Sequence, residues 1–254
     1  MTKQILISII ILTSFIVGCT QHSTDFYELN GIIYCHDAVP GDTGNINGIT
    51  YVAVNETTLK QMIKNHTNTN LTHVCTSLIS DMSYMFRLAN TFNQPIGNWD
   101  VSNVEDMNHM FFQAPSFNQD INNWNVSNVK KMNHMFHHAI SFNQPIENWD
   151  VSNVEDMNHM FFEALVFNQP LNDWDVSNVQ DTSFMFAYAH SFNQQLNTWN
   201  VSNVKNMNRM FLHASSFNQP LHDWNVNNVE NMIEMFKAAE SFNQQNINWN
   251  ITYQ

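Results

Sequence analysis

The stretch that decides the fold is Phe92-Asn-Gln-Pro-Ile96-Gly-Asn-Trp99-Asp-Val101-Ser-Asn-Val104-Glu-Asp-Met107-Asn-His-Met110-Phe111-Phe-Gln-Ala114. It recurs. Tryptophan stands at Trp99, Trp124, Trp149, Trp174, Trp199, Trp224 and Trp249, always 25 residues apart, and nowhere else in the chain. Phe92, Phe117, Phe142, Phe167, Phe192, Phe217 and Phe242 keep the same step, as does a Met-Phe pair running from Met85 to Met235. Three ladders in one register define a tandem array, the first thing to look for in any sequence.

Two apolar periods lie inside the unit. Trp99 and Val101 alternate with Asn98 and Asp100, the pattern of a short strand. Val104, Met107, Met110, Phe111 and Ala114 are spaced by three or four, the stripe of a short helix. Ser102 with Glu105, and Ser152 with Glu155, match a helix capping box. A strand and a helix in so short a unit cannot bury their own apolar faces, whereas stacked copies can. The expected fold class is therefore α/β: a leucine-rich-repeat-like solenoid of 25-residue strand-helix units, with one parallel sheet and an N-terminal cap. The Asn93-Gln94 pair, present in every unit, is read as structural, its amides bonding from turn to turn.

The spacing Ile96-x-x-Trp99-x-Val101 is that of a leucine-rich-repeat strand. The phrase FNQPIGNWDVSNVEDMNHMF and its copies resemble the BspA-like leucine-rich-repeat surface proteins of bacteria. The preceding NGITYVAV and VCTSLISDMSYMF resemble the lead-in found in that family. The resemblance spans roughly residues 30 to 254. It implies a cell-surface solenoid with adhesion and partner binding as roles, and it speaks more to fold than to ligand.

Outside the array, Lys3 precedes an apolar run from Ile5 to Val17, too short for a comfortable bilayer span and laid out as a signal peptide. Ile16-Val17-Gly18-Cys19 resembles the lipobox of bacterial lipoproteins, which implies cleavage before Cys19 and lipid attachment to its thiol. The expected organisation is a signal peptide at 1–18, a tether at 19–30, a cap at 31–75 and the repeats at 76–254. Within the cap, Thr50 to Asn55 reads as a strand and Thr58 to Lys64 as a short helix. Cys35 and Cys75 remain; in an exported chain an even pair suggests a disulfide fastening cap to array, with zinc the weaker alternative. Asn246 stands where Ile96 or Leu221 stands in earlier units, so the last turn is imperfect, and an open edge there permits self-association.

Composition narrows the function. Lys and Arg number 9 against 22 Asp and Glu, and the formal net charge is -13. With no basic cluster, nucleic acid and anionic membrane surfaces are disfavoured as partners. His109, His134 and His159 share a slot, but it continues as Phe184, Arg209 and Glu234 and closes no ligand set, so no metal is expected. His137-His138 beside Ser141 has no Asp to orient it and no visible oxyanion-hole loop, and Asp173 with Asp175 lies on an open ladder rather than in a cleft. Neither catalysis nor a cofactor is expected, the Met and aromatic ladders reading as core.

The candidate binding face follows from the alternation. Inward Trp and Val force outward Asn98 and Asp100, Asn123 and Asn125, Asn148 and Asp150, Asp173 and Asp175, Thr198 and Asn200, and Asp223 and Asn225. This polar, mildly acidic face suits an extracellular protein or glycan ligand. The expected function is a lipid-anchored adhesion or recognition module of the bacterial surface or outer membrane. The alternative is a passive coat or spacer of the envelope.

Overall fold

A computed structural model describes residues 25–65 and 69–250. Cys19 and the proposed signal peptide lie outside these residues. The cap begins with two antiparallel hairpins. In the first, β1 (Tyr27–Leu29) pairs with β2 (Ile32–Tyr34); in the second, β3 (Thr43–Ile46) pairs with β4 (Ile49–Ala53). Asn30 and Gly31, and then Asn47 and Gly48, all take positive φ, as tight hairpin turns require. Helix α1 (Glu56–Asn65) follows, and β5 (Val74–Cys75) then pairs parallel to β4. The expected strand and helix of the cap are both present. The cap starts earlier than the sequence suggested, because β1 lies inside the segment read as tether.

Beyond β5 the chain runs in turns of 25 residues that stack on one another. Parallel bridges join Asp81, Asp106, Lys131, Asp156, Asp181, Asn206 and Asn231 in succession. The alternate amides of Met107, His109, Phe111 and Gln113 donate to the carbonyls of Lys131, Asn133, Met135 and His137 on the next turn, at 2.8–3.0 Å. The same four slots repeat this from the first turn to the sixth, always in the same direction.

This arrangement corrects the expected strand-helix unit. Among the described residues no α-helix occurs after α1. The stretch from Val104 to Ala114 is a run of tight turns: Met110, Phe112 and Ala114 donate to Met107, His109 and Phe111, three residues back. His109 and Gln113 have φ of 55° and 52°, and every turn from Tyr84 and Leu88 to Glu234 and Ala238 repeats this pair of left-handed residues. A right-handed helix cannot pass through such residues. Each one turns the neighbouring amides outward along the stack. Nor do the capping boxes form, since the Ser102 amide is taken by the Asp100 carboxylate two residues before it.

The tryptophan segment is also not a strand of a continuous sheet. The Trp124 amide donates to Ile121 and that of Val129 to Val126, so the local turns consume these backbone groups. Side chains connect the turns here instead. The indole nitrogen of Trp149 donates to the Ile121 carbonyl at 3.0 Å, and Asn153 Nδ2 donates to the Ser127 carbonyl at 2.7 Å. Asn118 Oδ1 accepts from the Asn143 amide and from Gln144 Nε2, so the recurrent Asn-Gln pair does link consecutive turns.

The core fills the inside of the stack. Phe111, Phe136, Phe161 and Phe186 lie 5.6 Å apart with planes within 8°, and Phe117, Phe142 and Phe167 form a second fully buried column. Burial of each such ring stabilises the fold by about 1.5–3 kcal/mol relative to leaving it exposed. At the N-terminal end Cys35 and Cys75 are buried and disulfide-bonded, closing a loop with a sequence separation of 40.

Two predictions follow from this geometry. Gln113→Gly removes a side chain from a left-handed residue, so stability should hold or rise by up to about 1 kcal/mol, whereas an α-helix would lose about 1 kcal/mol. Chemical denaturation of the purified variant reads the difference. Replacing Cys35 and Cys75 together by Ser should cost about 4 kcal/mol by the same measurement, the loop-closure entropy of a loop of this length. An unchanged midpoint would refute the fastening role.

Candidate functional site

The structure keeps the alternation on which the candidate face rests. Asn123, Asn125, Asn148, Asp150, Asp173, Asp175, Thr198, Asn200, Asp223 and Asn225 are exposed, while the Trp residues between them are buried. The first pair departs from it. Asp100 is only 2% exposed and Asn98 is half-buried. The cause is β2: Ile33 bridges to Trp99, its amide donates to the Asn98 carbonyl at 2.9 Å, and His36 Nε2 stands 3.7 Å from Asp100 Oδ2. The hairpin folds back over the start of the face, a contact between segments 65 residues apart that no local pattern announces.

The face contains two kinds of position. Asp100, Asn125, Asp150, Asp175, Asn200 and Asn225 each accept the amide two residues on through Oδ1, an Asx turn that fixes the corner into the next segment. This hydrogen bond explains why the slot holds only Asn and Asp. Hydrogen bonds from Ser177 accordingly hold the Asp175 carboxyl below its usual range. The slot just before Trp is freer. Thr198 donates to the Asn172 carbonyl and Asp223 accepts from Asn197, whereas the side chains of Asn123 and Asn148 have no hydrogen-bond partner among the described residues.

The candidates weighed for chemistry sit as follows. His138 Nδ1 lies 2.6 Å from Glu163 Oε2, and no hydrogen bond joins Ser141 to either neighbouring histidine. Asp173 and Asp175 are both exposed, and the lowered Asp175 carboxyl is the opposite of what a general acid needs. Among the described residues no three His, Cys, Asp or Glu side chains converge on a metal position.

The histidine slot forms a column of rings. Tyr84, His109, His134, His159 and Phe184 stack at 4.4–4.7 Å, and Arg209 lies over Phe184 at 5.5 Å while pairing with Glu234. A second column, which the sequence reading passed over, runs Arg87, Phe112, His137 and Phe162. His134 Nδ1 and His137 Nδ1 join the two at 3.1 Å. The signal was present in the sequence, since each slot keeps a planar or cationic side chain over several periods. The expected solvent-facing helix position is thus a half-buried stack.

Burial, reinforced by the neighbouring imidazoles, lowers His134 to about 3 and His137 to about 4. Burial also lowers His159 to about 4, against the opposing pull of Asp181.

Repeated turns of one kind make this a repeat protein, and the comparisons with known proteins agree. The family described as Mycoplasma protein of unknown function, DUF285, matches residues 57–174 and again 156–254, and the chain belongs to it. No curated protein and no solved structure matches the chain.

The histidine columns set a pH dependence. Above the ordinary imidazole value of 6.5 these groups are neutral in both folded and unfolded chains. As pH falls from there toward about 4, the unfolded chain binds protons that the folded stack refuses, so folding stability falls with pH. The melting temperature should therefore drop more steeply over this window in the native chain than in a variant carrying His134→Gln, His137→Gln and His159→Gln. Parallel pH profiles would refute this.

Proposed function

We propose that the chain is a surface recognition or adhesion protein that presents the polar row beside its tryptophans to an extracellular partner. In this reading it is a repeat solenoid similar to the BspA-like proteins, anchored to the bacterial surface or outer membrane by lipid on Cys19. The observation that carries it is the row itself. Its Trp-preceding positions from Asn123 to Asp223 are exposed on successive turns, and two of them, Asn123 and Asn148, have no structural hydrogen bond to make. Short polar side chains lose little rotamer freedom on binding, and regular spacing lets weak contacts add along an extended ligand.

One observation favours the alternative of a passive coat component. The amides of Met232, Glu234, Phe236 and Ala238, on the last described turn, find no acceptor among the described residues. Such an open donor edge suits end-on packing or self-association.

Replacing Asn148, Asp173 and Asp223 with Lys puts long cations into the row without touching an Asx turn. Adhesion of expressing cells to matrix or to neighbouring cells should fall at least about tenfold, the effect of losing one or two hydrogen bonds to a partner. A folded variant that adheres as well as the native protein would exclude the row and leave the coat reading.

A further inference from the structure

The row is not uniform, because at one place it has a second wall. The cap hairpin stands beside the turns of Trp124 and Trp149, and between them lies a groove of about 370 Å³. Leu29, Ile32 and Tyr34 line one side, and Asn123, Asn125, Asn148 and Asp150 line the other. The volume falls in the range of small-ligand sites.

The polar wall is unspent and held in place. Asn123 and Asn148 have free side-chain amides, and Asn125 Nδ2 and Asp150 Oδ2 are free while their Oδ1 atoms are fixed by the amides of Ser127 and Ser152. The opposite wall is anchored as well. The Ile33 bridge to Trp99 holds β2, and Cys35, next after β2, is disulfide-bonded to Cys75 in β5. The backbone of both walls, with Asn125 and Asp150, is therefore positioned before any ligand arrives.

The chemistry of the walls selects the ligand. No Lys or Arg lines the groove, which disfavours an anion, and a single carboxylate is little to hold a free cation. Amides and a carboxylate together offer donors and acceptors side by side, the complement of adjacent hydroxyls that each donate and accept. Leucine and tyrosine opposite them supply an apolar surface for a ring face. A peptide strand would need a run of free backbone groups, and the Trp124 amide and Val126 carbonyl are already bonded within their own turn.

We propose that this groove binds a neutral oligosaccharide. Asn123, Asn125, Asn148 and Asp150 bond its hydroxyls, and Tyr34 and Leu29 cover one ring face. The site rests on the reading of the row as a recognition surface, and it names both the place and the class of ligand.

The test is saturation-transfer NMR on the full chain in a sugar-free zwitterionic detergent, with cellotetraose, chitotetraose and mannotetraose at millimolar concentration. At least one tetrasaccharide should receive saturation. Asn123→Ala with Asn148→Ala should weaken its binding at least about tenfold, the loss of one to two hydrogen bonds. Glu230→Ala, exposed and outside both the groove and the row, should leave it unchanged. Neither groove asparagine makes a side-chain hydrogen bond, so the double variant keeps the fold, which its melting curve verifies. No saturation of any of the three sugars, or equal binding by the double variant, overturns the site. Loss of cell adhesion in the Lys variants without sugar binding would overturn the groove alone and leave the recognition row standing.

Discussion

Everything in the repeat region depends on amides that point along the stack. In an α-helix or a strand each turn's backbone would satisfy itself or pair sideways. Here His109 and Gln113 and their equivalents take positive φ, which swings alternate N–H groups toward the next turn and alternate C=O groups toward the previous one. Left-handed conformations at such residues cost about 1–2 kcal/mol each. That cost is tolerable only because each turn gains four forward inter-turn backbone hydrogen bonds, a fifth running back as from the Lys130 amide to the Glu105 carbonyl, and the burial of two phenylalanines and a tryptophan in return. A single turn would have neither, so the conformation is stable only in the array. The four bonds made by the Met107, His109, Phe111 and Gln113 slots share a direction, and their dipoles add in the way peptide dipoles do along a helix.

The period of the array, its core and its turn-to-turn amide ladder were legible because all three follow from residues that repeat in register. Trp, Phe and Met at fixed slots must stack, and Asn-Gln at a bend has few other partners. The conformation between the slots was not legible. Apolar residues three and four apart mark a helix, but a chain of three-residue turns places them on one face equally well. What separates the two is φ at His109 and Gln113, neither of which is glycine or asparagine, so no residue marks the difference. The disulfide could be read because only two cysteines remained in the body of the chain.

The candidate face was half legible for a related reason. Alternation with buried Trp and Val correctly sends the polar residues outward from Asn123 onward. It could not show that β2 covers Asn98 and Asp100, since that contact joins the cap to the array across a long sequence separation. Nor could it show that the Asn and Asp residues after Trp are held there by an Asx turn. Their restricted composition has a structural cause, so it carries no information about a ligand, and the interest of the face shifts to the slot before Trp.

That shift also decides where the proposed recognition would concentrate. A perfect array offers the same contacts on every turn, so a ligand gains nothing from any particular register and slides among equivalent positions. Discrimination requires a feature that occurs once. The cap hairpin is such a feature, and it faces the two turns whose pre-tryptophan asparagines have no side-chain hydrogen bond among the described residues. Farther along, Thr198 and Asp223 are drawn into bonds with Asn172 and Asn197, which stiffen the row but remove free donors and acceptors from it. The break in symmetry and the unspent polarity thus coincide, and the disulfide that fixes the cap fixes the one wall of the groove that the repeats do not supply.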